Sequence, residues 1–201
     1  MTIPSSSEAA PCGIVPINAP NPKASMHQKP SPAAIALLST GGTFEKVYQP
    51  GQGSLGFGQS QITYWKTRCR MPENTRLETV MLVDSLDMTE EERAYLCQRI
   101  RDCPEDHVVV IHGTDTLVAS ALLADTTRRP EQVVVFTGAM VPASCKDSDA
   151  LFNLGMAFAA AQCQSPGVWL ACSGEIFDAR GVEKNRTLGR FVRTTSQYKT
   201  D

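Results

Sequence analysis

No sign of charge dominates this sequence: 19 basic side chains stand against 21 acidic ones, a net charge of −2. A nucleic-acid or anionic-membrane partner would call for a basic patch or stripe, so no nucleic acid and no membrane is expected. The seven cysteines contain no C-x-x-C pair, and an odd number without that spacing fits neither a disulfide framework nor a structural zinc site. Reduced thiols in a cytoplasmic protein fit instead. Histidine is scarcer still, at three. His27 lies in a polar stretch, His107 and His112 bracket one apolar run, and no second ligand stands at helical spacing, so no metal and no cofactor are expected. A long apolar run is also missing near the start, where Pro16, Pro20 and Pro22 interrupt the segment Ile14 to Ile17. A signal peptide needs roughly 7 to 15 uninterrupted apolar residues.

Proline is not scarce, but it crowds one end. Residues 1–32 hold seven of the 13 prolines together with Ser, Ala, Asn and Gln, a composition that buries too little apolar surface to offset the entropy of ordering. A disordered tail is expected over residues 1–32, with Met26 as an alternative start of translation. The whole chain, 42% apolar and 20% charged over 201 residues, can hold one domain with a sizeable core. That domain is expected over 33–187, with a C-terminal tail over 188–201. From Lys184 to Lys199 there are five basic residues and no acid, which reads as a solvated or subunit-contacting end.

The stretch that organises the chain is Val108-Val109-Val110-Ile111-His112-Gly113-Thr114-Asp115-Thr116. Four apolar, mostly β-branched residues read as a strand buried on both faces of a parallel sheet. Gly113 then permits a sharp turn, and two hydroxyls flank a carboxylate where a helix should begin. The carboxyl ends of strands are where open α/β sheets place ligands. Taken alone, Thr114 or Asp115 reads more readily as a helix cap. Ile35-Ala36-Leu37-Leu38-Ser39-Thr40-Gly41-Gly42-Thr43 repeats the grammar, so two strand ends would bring hydroxyls, backbone N–H groups and a carboxylate to one rim.

Further strands are expected at Glu78 to Val83, Val133 to Phe136 and Val168 to Ala171. Thr89 and Glu92 form a capping box for a helix to about Asp102. A helix to about Thr126 should bury Leu117, Val118, Ala121 and Leu122, and another should start at Ser148 with Leu151, Leu154, Phe158 and Gln162 on one stripe. Glu175 to Asn185 reads as a hairpin whose strands, Ile176-Phe177 and Val182, flank Asp178-Ala179-Arg180-Gly181. Repeated strand-to-helix units argue for an α/β fold, doubly wound, with a mostly parallel sheet and helices on both faces.

Thr40-Gly41-Gly42-Thr43 and His112-Gly113-Thr114-Asp115-Thr116, in this order and each after a strand, resemble the two signature motifs of the bacterial-type L-asparaginases. The resemblance runs from about Ile35 to about Thr187 and is to a short form lacking the second, smaller domain. It implies an amidohydrolase converting L-asparagine, with L-glutamine as second candidate, to the acid and ammonia through a threonine nucleophile and an acyl-enzyme. By the same resemblance Thr43 is the nucleophile and Tyr48, in the glycine-rich loop from Thr43 to Gln61, assists it. Thr114 and Asp115 orient the second step, and Asp115 also holds the substrate ammonium. Ser85 holds the α-carboxylate, with Gly113 and Ala139 completing the substrate site. Where relatives often carry a polar residue after that serine, this chain has Leu86. The lysine that the resemblance places near the end of the last helix falls on Gln164, and Lys146 is the candidate to replace it. A homo-oligomer, dimer or tetramer, is expected. Against this stand two other readings. One is an ammonia-releasing relative serving transfer RNA amidation, which would need further domains. The other is a catalytically weak protein that senses asparagine or aspartate.

Overall fold

The computed structural model describes residues 34–194; the expected tail over 1–32 and residues 195–201 lie outside the described part. Among the described residues fifteen strands and α-helices follow in order: β1 (Ile35–Gly41), α1 (Gly42–Glu45), β2 (Val47–Gln49), β3 (Ser54–Gly56), α2 (Ile62–Arg68), β4 (Arg76–Val83), α3 (Glu90–Arg101), β5 (His107–Ile111), α4 (Leu117–Thr127), β6 (Val133–Thr137), α5 (Ala150–Cys163), β7 (Gly167–Cys172), β8 (Glu175–Asp178), β9 (Val182–Asn185) and β10 (Arg190–Arg193).

The main sheet has the order β4-β1-β5-β6-β7-β8, parallel throughout except for the antiparallel edge strand β8. Because side chains alternate across a strand, its apolar runs feed two cores. Leu38, Val110 and Phe136 pack on one face with Leu96 and Ile100 of α3 and Leu117 and Ala121 of α4. Leu37, Val109 and Val135 pack on the other with Ile62 and Trp65 of α2 and Leu154 and Ala157 of α5. This is the doubly wound α/β fold expected. The chain moves outward from β1 in both directions, to β4 on one side and β5 on the other. The topological switch point therefore falls between β1 and β5, whose carboxyl ends carry the two glycine-threonine motifs.

The capping box is formed, with the Thr89 hydroxyl accepting from the Glu92 N–H at 3.2 Å and the Glu92 carboxylate accepting from the Thr89 N–H at 2.9 Å. Four expectations need correction. The buried residues of α4 are Leu117, Ser120, Ala121 and Ala124, whereas Leu122 is 41% exposed; Ser120 turns inward because its hydroxyl has buried polar partners. In α5 the sheet-facing residues are mainly alanines, since a helix packed on a flat sheet is seated best by small side chains. The expected hairpin across Asp178 to Gly181 does not form: β8 pairs back onto β7 and β9 pairs with β10. Ser173 and Gly174, with φ of 55° and 85°, supply the left-handed two-residue turn that a tight hairpin needs. Finally, the segment from 188 is not a tail throughout, because β10 carries Phe191 into the core at 2% exposure.

Candidate active site

The site is built from backbone meeting backbone. Gly41 and Gly42 have φ of 93° and 60°, conformations that L side chains rarely adopt. A Cβ on Gly42 would stand 2.4 Å from Gly113 Cα, and one on Gly113 would stand 2.6 Å from the Ser85 Cβ and Oγ. A Cβ on Gly138 would lie 2.6 Å from the His112 carbonyl oxygen and 2.9 Å from Thr114 Cγ2. The loops after β1, β4, β5 and β6 thus converge because three glycines let them touch. Polar bonds tie the same loops: the Thr40 hydroxyl donates to the Ile111 carbonyl at 3.1 Å, and Thr116 to the Ser85 carbonyl at 2.8 Å.

Of the residues expected to act, Thr43, Ser85, Gly113, Thr114, Asp115 and Ala139 all sit on this rim. Thr43 is half-buried in α1, Thr114 is buried, and Asp115 is half-buried. The Ser85 hydroxyl is buried and has no hydrogen-bond partner, an uncommon state for a polar group because the unmade bond costs free energy. Among the described residues the backbone N–H groups of Thr114 and Ala139 likewise have no protein partner. Tyr48 stands apart. It is 63% exposed and belongs to the β2–β3 hairpin, opposite Leu55, rather than to an unstructured loop.

The cation on the rim comes from neither expected position. Lys184, on β9, donates to the Thr114 hydroxyl at 2.7 Å and to the Asp115 carboxylate at 3.1 Å. Arg186 adds a second contact to Asp115 at 3.3 Å. Gln164 caps the far end of α5, and a crossover helix runs against its strands, so that end lies by their amino termini. Lys146 is exposed. Lys184 and Arg186 read in the sequence as part of a solvated basic stretch; the signal available was their excess of positive charge, which a carboxylate elsewhere had to answer.

A second ion pair closes the other side, Lys46 with Asp84 at 2.6 Å. The Lys46 hydrogen bond holds the Asp84 carboxyl below its usual range, against a smaller opposing effect of burial. Glu45 is buried and accepts from the Ser39 and Ser60 hydroxyls, each at 2.8 Å, and from the Gln61 N–H at 2.9 Å, fastening the segment after the β2–β3 hairpin to β1. Among the described residues, no three His, Cys, Asp or Glu side chains are grouped as metal ligands would be.

A family model described as "Asparaginase, N-terminal" matches residues 34–194. The chain belongs to the asparaginase family. It is 33% identical over 165 residues to a probable periplasmic L-asparaginase of Haemophilus influenzae, covering 76% of this chain and 46% of that one. L-asparaginase 2 of Escherichia coli is 33% identical over 166 residues, covering 76% and 47%. The thermostable L-asparaginase of Thermococcus kodakarensis superposes with a TM-score of 0.69 at 26% identity, covering 79% of this chain and 50% of that one. This asparaginase-family chain therefore spans about half the length of the curated relatives it matches. In its asparaginase domain, Lys184 and Arg186 fall inside the matched segment, so the β9–β10 hairpin belongs to the domain and not to a tail.

Proposed function

We propose that the chain hydrolyses the side-chain amide of L-asparagine, with L-glutamine as the second candidate, to the acid and ammonia. The observation that carries this reading is the Lys184 ammonium placed on both the Thr114 hydroxyl and the Asp115 carboxylate. A hydroxyl that positions an attacking water is held best by a fixed cation that sets the direction of its oxygen, and Asp115 keeps that cation in place.

In the proposed sequence the Thr43 oxygen attacks the amide carbon as the β2–β3 hairpin moves in, its proton passing to the Tyr48 oxygen while the Tyr48 hydroxyl proton passes on to the amide nitrogen. The C–N bond breaks, ammonia leaves with the proton, and an ester to Thr43 remains. Water, oriented by Thr114, Asp115 and Lys184, then attacks the ester and returns the proton to Thr43. The unpartnered N–H groups of Thr114 and Ala139 are suited to the oxyanion, and the orphaned Ser85 hydroxyl to the α-carboxylate.

Six described cysteines are free thiols, which supports a reducing, cytoplasmic setting. The reading is tested by coupled ammonia release from L-asparagine. Purified wild-type protein should turn over and Thr43→Ala should not, and equal release by the two proteins would remove Thr43 as nucleophile.

A further inference from the structure

Behind the rim lies a buried polar chain with no part in the reaction described above. Arg93 occupies the buried stripe of α3 beside Leu96, Cys97 and Ile100, and it is 6% exposed. A guanidinium so deep is costly unless paired, and an apolar residue would fill the space at less expense. Arg93 touches the exposed Glu90 at 3.4 Å and donates to the Ser120 hydroxyl of α4. Ser120 Oγ lies 2.8 Å from His112 Nε2, and His112 Nδ1 lies 2.8 Å from the Gly113 carbonyl oxygen. Ser120 and His112 are fully buried.

Chemistry forces every role in this chain. The Gly113 carbonyl can only accept, so Nδ1 carries the proton and donates to it, and in a neutral ring Nε2 is left as the acceptor. Ser120 therefore donates its O–H to Nε2 while its oxygen accepts from Arg93, which can only donate. Burial pushes the His112 pKa down to about 4, which keeps the ring neutral at pH 7 as this arrangement needs. Among the described residues no peptide bond is cis, so the Gly113 C=O and the Thr114 N–H point in opposite directions from one plane. Holding the first against the imidazole turns the second away from it.

We propose that Arg93, Ser120 and His112 are positioning residues, a one-way chain of hydrogen bonds that fixes the Gly113–Thr114 peptide plane and aims the Thr114 N–H at the carbonyl oxygen of an amide substrate. The inference rests on the amide-hydrolysis reading for its catalytic part. Losing an oxyanion donor costs factors of roughly 10² to 10³; tilting one should cost about tenfold.

Two measurements test it. In steady-state kinetics on the full chain, Ser120→Ala should lower kcat about tenfold with KM within about twofold, and Arg93→Lys should keep more activity than Arg93→Met. A folded Ser120→Ala protein with wild-type kcat would overturn the proposal. Nitrogen-15 NMR of the wild-type protein should show His112 as the Nδ1–H tautomer, and the Thr114 amide resonance should shift in Ser120→Ala. An Nε2–H tautomer, or an unmoved Thr114 resonance, would overturn it whether or not the protein turns over. The expected tautomer and shift in a chain that hydrolyses no amide would instead refute the hydrolase reading and leave the positioning of the peptide standing.

Discussion

Gly42 and Gly113 meet backbone to backbone, so closely that a Cβ on the first would stand 2.4 Å from the Cα of the second. Each belongs to one of the two glycine-threonine motifs, and their contact is what sets Thr43 and Thr114 on one rim. Gly42→Ala combines that clash with a φ of 60°, so it should destabilise the domain by about 3 kcal/mol or more. Urea unfolding checks this. Gly53→Ala serves as the comparison, because φ is also positive there but the space is open; it should cost less than half as much.

Lys184→Met should lower kcat for amide hydrolysis by roughly 10² to 10⁴, the range for a lost proton-transfer or charge-stabilising group. Lys146→Ala should leave it at the wild-type level. Parallel ammonia assays on the two variants decide whether the cation of β9 or that of the loop before α5 serves the site.

Arg186 competes for the carboxylate that is proposed to hold the substrate ammonium. Its side chain is 67% exposed, and exposed pairs contribute about 1 kcal/mol or less, so Arg186→Ala should lower KM for L-asparagine a fewfold while kcat changes less. Titration of the product, L-aspartate, by calorimetry should show the same gain in affinity. A higher KM in the variant would mean that Arg186 helps to hold substrate.

Stability should fall as pH drops from about 6.5 to about 4, because the unfolded His112 side chain binds its proton near 6.5 and the buried one only near 4. The folded pKa is depressed, so this contribution is fully present above the unfolded value and is lost on acidification, amounting to on the order of 3 kcal/mol. Chemical denaturation at several pH values, repeated on His112→Gln, checks it: the variant should lose most of the slope over that window. The Asp84 and Glu78 carboxyls, whose pKa values are lowered by Lys46 and Arg99, add their losses at more acidic pH.

Much of the fold was legible in local patterning. The valine run before His112 is too short and too β-branched for a buried helix and reads as a doubly buried strand, Thr89 and Glu92 carry a capping box within four residues, and both glycine-threonine turns follow apolar strands. Such features depend on neighbours in sequence, where bonding and sterics act over a few residues. Strand-end chemistry followed from them, since a parallel sheet gathers the carboxyl ends of its strands on one edge.

Tertiary structure alone decided the charges and the pairings. Lys184 and Arg186 read as solvated because the stretch from Lys184 to Lys199 holds no acid; only the packing of β9 beside α4 brings them to Asp115. Glu45 read as part of a polar loop until Ser39 and Ser60 enclosed it, and Arg93 finds a partner in the core only because Ser120 of α4 turns inward to meet it. Ser173 and Gly174 could be weighed against Asp178 to Gly181 as a hairpin turn only with β7 in place as the edge that β8 joins. An ion pair or a buried hydrogen bond is worth its desolvation only when its partner is held within about 3 Å, and for these residues the partner comes from a distant part of the chain.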